Sequence, residues 1–299
     1  MTSGATEQDS SVSGPPSATV SQTGQAIGTV GDTTDSVAQM VEPWDIVADG
    51  YTSDILPMSE HFAREALKLA ELPPSPHIVD VATGPGPLAL LAARDGATVS
   101  AIDFSPAMVA SLQRRAEAAG LLLADVRVGD GQDLPYDDET FDGAFSMLGL
   151  IFFSDRVAGF RELHRVLRPE RRAVVSSMAS LSEQFRTAMK SIGAVLPDLP
   201  AADGEPPLSN PEDFEREMSA AGFRRVTIHT FDYNETSPTL ASFWGKVQRG
   251  AAFVATLKHK MGPERWAEVS NEVFKQLQEA LGDGPVEEVY AAHLGVGLR

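Results

Sequence analysis

His77-Ile78-Val79-Asp80-Val81-Ala82-Thr83-Gly84-Pro85-Gly86-Pro87 is the stretch on which the fold turns. Its apolar run, Ile78, Val79 and Val81, ends in a tight Gly84-Pro85-Gly86 turn, and a helix-like segment follows. That order describes a strand, a glycine-rich loop and a helix. Glycine permits backbone angles closed to other residues and lets a ligand come close to the chain. The N-terminus of the next helix offers unpaired N–H groups to a negatively charged ligand group. The reading predicts a nucleoside-containing cofactor at the head of an α/β sheet.

Outward from this loop the chain alternates helix and strand. Phe62, Ala66, Leu69 and Ala70 share one face of a helix, because they recur at helical spacing. Helix 87–95, strand 97–102, a helix opened by Ser105-Pro106 and ending at Gly120, and strands 124–128 and 141–147 follow. Ser154 is expected to cap a helix running to Leu167. Strand 172–178, a helix from Asn210-Pro211 to Gly222, strand 224–231 and a last β-like run from Glu287 to Val296 complete the series. Repeated βα units imply a parallel sheet covered by helices on both faces. The expected fold is α/β and Rossmann-like: a seven-stranded, mostly parallel sheet with an antiparallel last strand and helical inserts.

Residues 1–38 are rich in Ser, Thr, Gly and Gln and lack aromatic residues, the composition of a disordered tail. The folded domain is expected over residues 39–299. Trp44 to Tyr51 reads as a short helix ending near Gly50. Two inserts, 179–209 and 237–283, interrupt the βα rhythm and are candidates for a substrate cap.

Bulk properties narrow the function classes. The chain has 299 residues, 42% of them hydrophobic, enough for a sizeable core. Its formal net charge of −18 disfavours nucleic acid, whose binding relies on Lys and Arg neutralising phosphates. No apolar run approaches a membrane span, and no basic-then-apolar leader is present. The expected setting is therefore cytoplasmic. The absence of cysteine removes disulfides, thiolate metal sites and cysteine nucleophiles, and no metal site is expected.

The loop Gly84-Pro85-Gly86-Pro87-Leu88-Ala89 satisfies the dinucleotide fingerprint G-x-G-x-x-G/A. Asp103, at the end of the next strand, can accept both ribose hydroxyl protons of a nucleoside. Both features suit NAD and S-adenosylmethionine equally. Asp80 separates them, since a carboxylate at that strand end suits a ligand with an ammonium group. Asp130, in Gly129-Asp130-Gly131 after the third strand, can accept from an adenine amino group. Phe141-Asp142-Gly143-Ala144-Phe145 adds a fourth strand.

In this order the motifs resemble those of class I S-adenosylmethionine-dependent methyltransferases, in the branch of ubiquinone/menaquinone-biosynthesis-type small-molecule enzymes. The likeness spans roughly residues 44–178. It also includes Asp103-Phe104-Ser105-Pro106-Ala107-Met108 and Leu163-His164-Arg165-Val166-Leu167-Arg168-Pro169. The resemblance implies that the backbone around Ala82, Gly84 and Gly86 holds the methionine end, with Asp80 near its ammonium. It implies Asp103 on the ribose within the Asp103-Phe104 turn, Met108 packed on the adenine, and Asp130 and Gly131 at the adenine edge. Tyr51 would help cover the cofactor, and Met147 and Leu148 would lie near the transferable methyl. Ala82 departs from the usual glycine, Pro87 opens the helix, and Glu170-Arg171-Arg172 replaces a usual Gly-Gly turn.

The implied reaction moves a methyl group to a small organic acceptor, in specialised metabolism, and releases S-adenosylhomocysteine. A sulfonium already activates its methyl, so such an enzyme must chiefly align the partners and exclude water. No catalytic base is assigned. His164 shares a helical face with Phe160, Leu163 and Leu167, which reads as packing. Strand parity leaves His229 and His293 open. Phe185, Met189, Phe243, Trp244, Phe253, Met261 and Trp266 in the inserts read either as helix core or as an apolar acceptor pocket. An NAD(P)-dependent oxidoreductase and a non-catalytic scaffold of the same fold are the alternatives. The sequence leaves a homo-oligomer open.

Overall fold

A computed structural model describes Met1, residues 33–199 and residues 204–299. Most of the expected disordered tail, residues 2–32, lies outside the described residues. The first helix, α1 (Thr33–Asp54), begins inside the expected tail and runs straight through Gly50. The short helix expected over 44–51 is thus part of a longer one. Gly50 is not its stop but a close contact, because a Cβ there would stand 2.0 Å from the Arg249 carbonyl oxygen.

The elements that follow are α2 (Leu56–Leu69), β1 (His77–Val81), α3 (Pro87–Arg94), β2 (Thr98–Asp103), α4 (Pro106–Ala118), β3 (Asp125–Val128) and β4 (Phe141–Met147). Then come α5 (Arg156–Val166), β5 (Leu167–Ser180), α6 (Glu183–Val195), α7 (Pro211–Ala220), β6 (Arg224–Ser237), α8 (Leu240–Gly250), α9 (Ala252–Leu281) and β7 (Val286–Leu298). Gly262-Pro263 kinks α9.

The seven strands lie in the order β3-β2-β1-β4-β5-β7-β6. The pairings from β3 through β5 are parallel, and β7 runs antiparallel to both neighbours, as the sequence predicts. The central strands are buried on both faces. One helical layer packs Phe62, Leu88 and Leu112 against Ile78 and Phe145. The other packs Phe160, Leu163 and Phe214 against Val79, Phe141 and Val175. A third apolar cluster, around Phe243, Trp244, Val254, Trp266 and Val273, belongs to the inserts.

Local chemistry sets the helix starts. The Ser105 hydroxyl accepts the Met108 N–H and Pro106 occupies the first turn, as expected. Asn210 caps α7 in the same way. The cap of α5 is Asp155, one residue beyond the predicted Ser154; its carboxylate accepts the Ala158 N–H. The Ser154 hydroxyl donates instead to Gln132.

Another departure is in β6, predicted to end near residue 231. It continues to Ser237, paired with β7 back to Val286. Pairing of β7 with β5 stops at Ala291. Residues 233–237 and 286–290 therefore stand beyond the sheet as a two-stranded ribbon. Sequence periodicity missed it because its residues alternate polar and half-buried rather than polar and apolar.

Candidate active site

Strand order reverses between β1 and β4, where β2 lies on one side and β5 on the other. Ligands of open α/β sheets bind at the carboxyl edge beside such a point. A cavity opens there. Its walls come from the ends of four strands: Ala82 to Pro85 after β1, Asp103 and Phe104 after β2, Gly129 to Gln132 after β3, and Met147 to Gly149 after β4. Trp44 and Tyr51 from α1, Ser59 from α2 and Met108 from α4 close it, with Phe152 and Phe153.

Ten predicted residues line this cavity: Tyr51, Ala82, Gly84, Asp103, Phe104, Met108, Asp130, Gly131, Met147 and Leu148. Asp103 braces the loop. One carboxylate oxygen accepts the Gly84 N–H at 2.7 Å and the other the Ser105 N–H at 2.9 Å. Each oxygen keeps a lone pair for a further donor. Burial pushes this carboxyl up to about 6, against the pull of those backbone donors. Asp130 turns its own loop, accepting from the Gln132 N–H and side-chain amide.

The two loop glycines do different work. Gly84 has φ +55, and a Cβ on it would meet nothing within 4 Å, so the space beside it is the cavity itself. Gly86 lies outside the lining; with φ +77, it caps α3, and a Cβ there would strike Leu112 at 2.1 Å. Its bareness serves packing, not ligand approach.

Asp80 also lies beneath the loop rather than on the wall. It is buried, accepts the Thr83 hydroxyl at 2.6 Å and the Ala89 N–H at 3.2 Å, and its Oδ1 has no partner among the described residues. Burial raises this carboxyl to about 7. The N-terminus of α3 therefore differs from its expected open anion seat. Pro87 has no N–H, and the Ala89 N–H is already taken by Asp80.

Two wall residues hold strained backbone. Ala82 and Leu148 have φ of 55° and 57°, the left-handed region that costs a side-chain-bearing residue about 1–2 kcal/mol. Leu148 is held there by the Ser176 hydroxyl, which accepts its N–H at 2.9 Å. Neither strain is visible in the residue types.

A second cavity abuts the first. Trp44, Tyr51, Leu148 and Phe152 line both. The Trp44 and Phe152 rings meet edge to face at 4.8 Å. The second cavity is mostly apolar, walled by Ile55, Met58, Met178, Phe185 and Phe253, with Asp54, which is paired to Arg249, and Glu235, Lys246 and Tyr290 in its lining. Of the insert residues left between core and pocket, Phe185 and Phe253 reach this cavity. Phe243, Trp244 and Trp266 are buried core.

The remaining candidates are structural. His164 stacks edge-on against Phe223, and burial holds its imidazole below the usual value. His293 contacts the Thr230 hydroxyl and the Ser209 carbonyl oxygen. His229 contacts the Thr227 hydroxyl. None of the three lines either cavity. Asp142, in the motif read as the opening of the fourth strand, accepts the His77 N–H and pairs with Arg168 at the start of β4. Among the described residues no acidic or histidine cluster could hold a metal, and no helix is long and apolar enough to cross a membrane. Sequence reasoning passed over Ser59, Gln132, Phe152 and Phe153 as wall residues. Only Trp44 carried a signal, through its place in the family-like segment.

Residues 79–175, the stretch from β1 through β5, match the methyltransferase domain family. That segment is a class I S-adenosylmethionine-dependent methyltransferase domain. The chain is 40% identical to demethylmenaquinone methyltransferase from Thermus thermophilus over 114 residues, 38% of this chain and 51% of the relative. It is 26% identical to nocamycin O-methyltransferase from Saccharothrix syringae over 76% of this chain and 87% of that one. The YcgJ protein of Bacillus subtilis shares the fold, with a TM-score of 0.54 at 17% identity over 80% of this chain and 98% of that chain. The chain spans 36% to 51% of the length of the first curated relatives it matches. The likeness to this methyltransferase family is thus densest around the cofactor cavity and thins over the inserts.

Proposed function

We propose that this methyltransferase binds S-adenosylmethionine in the first cavity and methylates a small organic acceptor held in the second, releasing S-adenosylhomocysteine. The observation that carries the reading is the joining of a carboxylate-bearing cavity at the strand ends to an apolar one through four shared side chains. The family and the named methyltransferase relatives support the same assignment.

The residues present fit that cofactor. Asp103 keeps acceptor capacity for ribose hydroxyls, and the open space beside Gly84 admits a ligand against bare backbone. Met108, nearly fully buried, offers an apolar seat for a base, with Asp130 and Gln132 at its polar edge. Asp80 beneath the α3 N-terminus argues against a dinucleotide, because it already takes the Ala89 N–H and Pro87 has no N–H to offer a pyrophosphate. The sulfonium supplies an activated methyl. The protein aligns the acceptor at Leu148 and Met147, and Trp44, Tyr51 and Phe152 keep water from the junction.

The expected disordered tail and the domain boundary belong to this proposal, as does the cap. Helices α6, α8 and α9 supply Phe185, Lys246, Val247 and Phe253 to the second cavity, which is the part such a cap should play. Acceptors of specialised metabolism are the favoured class, in keeping with the nocamycin relative, whose likeness extends over 76% of this chain.

Thermal unfolding with S-adenosylmethionine, S-adenosylhomocysteine and NAD tests the reading, since a ligand of the folded state raises the midpoint with its concentration over its Kd. A rise with the first two alone is expected. A rise with NAD alone would turn the assignment to an oxidoreductase. Stabilisation without S-adenosylhomocysteine formation, across acceptor libraries and cell extracts, would turn it to a binding scaffold.

A further inference from the structure

The ribbon formed by the ends of β6 and β7 places Glu235 directly opposite Glu288. Like charges at facing positions of an antiparallel pair destabilise it. Lys246, from α8, bridges the two carboxylates, contacting Glu235 Oε2 at 2.8 Å and Glu288 Oε2. Glu288 is fully enclosed: its Oε1 also accepts the Tyr290 hydroxyl at 2.5 Å and the Ser182 hydroxyl at 3.4 Å. Glu235 is not enclosed. Its side chain is 26% exposed, it lines the second cavity, and its Oε1 accepts no hydrogen bond among the described residues.

One lysine against two glutamates leaves the cluster with a formal charge of −1. The free acceptor on Glu235 borders a mostly apolar cavity. Neither Glu235, Lys246 nor Tyr290 lines the first cavity, so they belong to the part of the wall that the second cavity does not share. A hydrogen bond to an ionised acceptor is about twice as strong as one between neutral groups, and it is stronger still where water is thin.

We propose that Glu235 is the residue that reads the acceptor: the second cavity takes a largely apolar small molecule bearing a hydroxyl or N–H donor and rejects an anionic one. This rests on the reading of the second cavity as the acceptor chamber. Glu235 binds the donor, while Lys246 and, through Lys246, Glu288 position it.

Calorimetric titration of the full chain with 2-naphthol, 2-methoxynaphthalene and 2-naphthoate, with and without S-adenosylhomocysteine, tests it. The three probes share an apolar body and differ in carrying a donor, no donor or a charge. Wild type should bind 2-naphthol about tenfold more tightly than 2-methoxynaphthalene, with 2-naphthoate weakest. In Glu235→Gln the preference for the hydroxyl should shrink to about threefold or less. Equal binding of the first two probes, tightest binding of the naphthoate, or binding of none would overturn the proposal. So would a hydroxyl preference that survives in Glu235→Gln. If that variant does not fold, the wild-type ranking decides. The S-adenosylhomocysteine isotherm reports separately on the first cavity, so failure of the cofactor reading is seen apart from failure of this one.

Discussion

The two joined cavities are built from the chain in opposite ways. The first takes most of its polar wall from four loops that each directly follow a strand between Ala82 and Gly149. The second draws on α1, α2, β5, α6, β6, α8, α9 and β7, with residues from Trp44 to Tyr290. A cavity made from strand ends leaves short motifs in the sequence, because each loop's residues are contiguous. A cavity made where helices and a ribbon converge leaves only scattered apolar positions, which look the same as core. The difference also bears on change. A loop at a strand end is held by backbone geometry, whereas the second cavity can be reshaped by altering insert side chains and leaving the sheet untouched.

Asp103→Ala should separate the cavities most sharply. It removes the proposed ribose acceptor and leaves the Gly84 and Ser105 N–H groups without their partner. With each hydrogen bond to a charged group worth roughly 1.5–3 kcal/mol, S-adenosylhomocysteine should bind about a hundredfold or more weakly. Naphthalene probes in the second cavity should bind as before. An unchanged cofactor Kd would place the ribose elsewhere.

Asp80→Asn comes next, and it reads the loop's foundation. The Asp80 carboxyl sits at about 7 in the fold against an ordinary 3.8. Between those values the folded state binds more protons than the unfolded one, so this group's contribution to stability declines as pH rises. At 1.36 kcal/mol per unit, wild type should lose about 2 kcal/mol relative to the Asn variant between pH 5 and pH 8. Urea unfolding at the two pH values measures it. Parallel pH profiles would show that Asp80 titrates normally.

Trp44→Ala attacks the shared wall. Edge-to-face pairs contribute about 0.5–1.5 kcal/mol beyond their buried area. Because Trp44 lines both chambers and meets Phe152, cofactor and apolar probe should each weaken by roughly tenfold in the same variant. Loss of one affinity alone would show that the chambers do not share this side chain.

Ala82→Gly is the smallest and finest change. It relieves the left-handed strain at φ 55° but adds backbone freedom to the unfolded chain, a cost of about 0.5–1 kcal/mol. The net gain in urea unfolding should stay under about 1 kcal/mol, with cofactor affinity kept. A clear loss of affinity would mean that the Ala82 methyl itself shapes the cavity.

Particular residues show where reading stopped. Asp103 and Gly84 were legible because a carboxylate at one strand end and a bare turn at its neighbour follow from βα geometry alone. Gly86 was legible as a glycine but not as a packing residue, since Leu112 comes from another helix. Asp80 was legible as a strand-end acid. Its burial under the loop, with a raised carboxyl, depends on which way its side chain turns. Asp142 was legible as the start of a strand, but its partners His77 and Arg168 were not, because they come from other parts of the chain. His293 could not be placed until strand parity was known.

By itself the sequence determined the alternating βα order, the reversed last strand, the strand-end loops and the family, because each is written in neighbouring residues and their spacing. Tertiary structure alone decided that β6 and β7 reach past the sheet, that Glu235 faces Glu288 across Lys246, and that four distant side chains join two chambers. Those join Trp44 to Phe152 and Glu235 to Glu288, residues far apart in the chain that only the packing of the whole fold brings together.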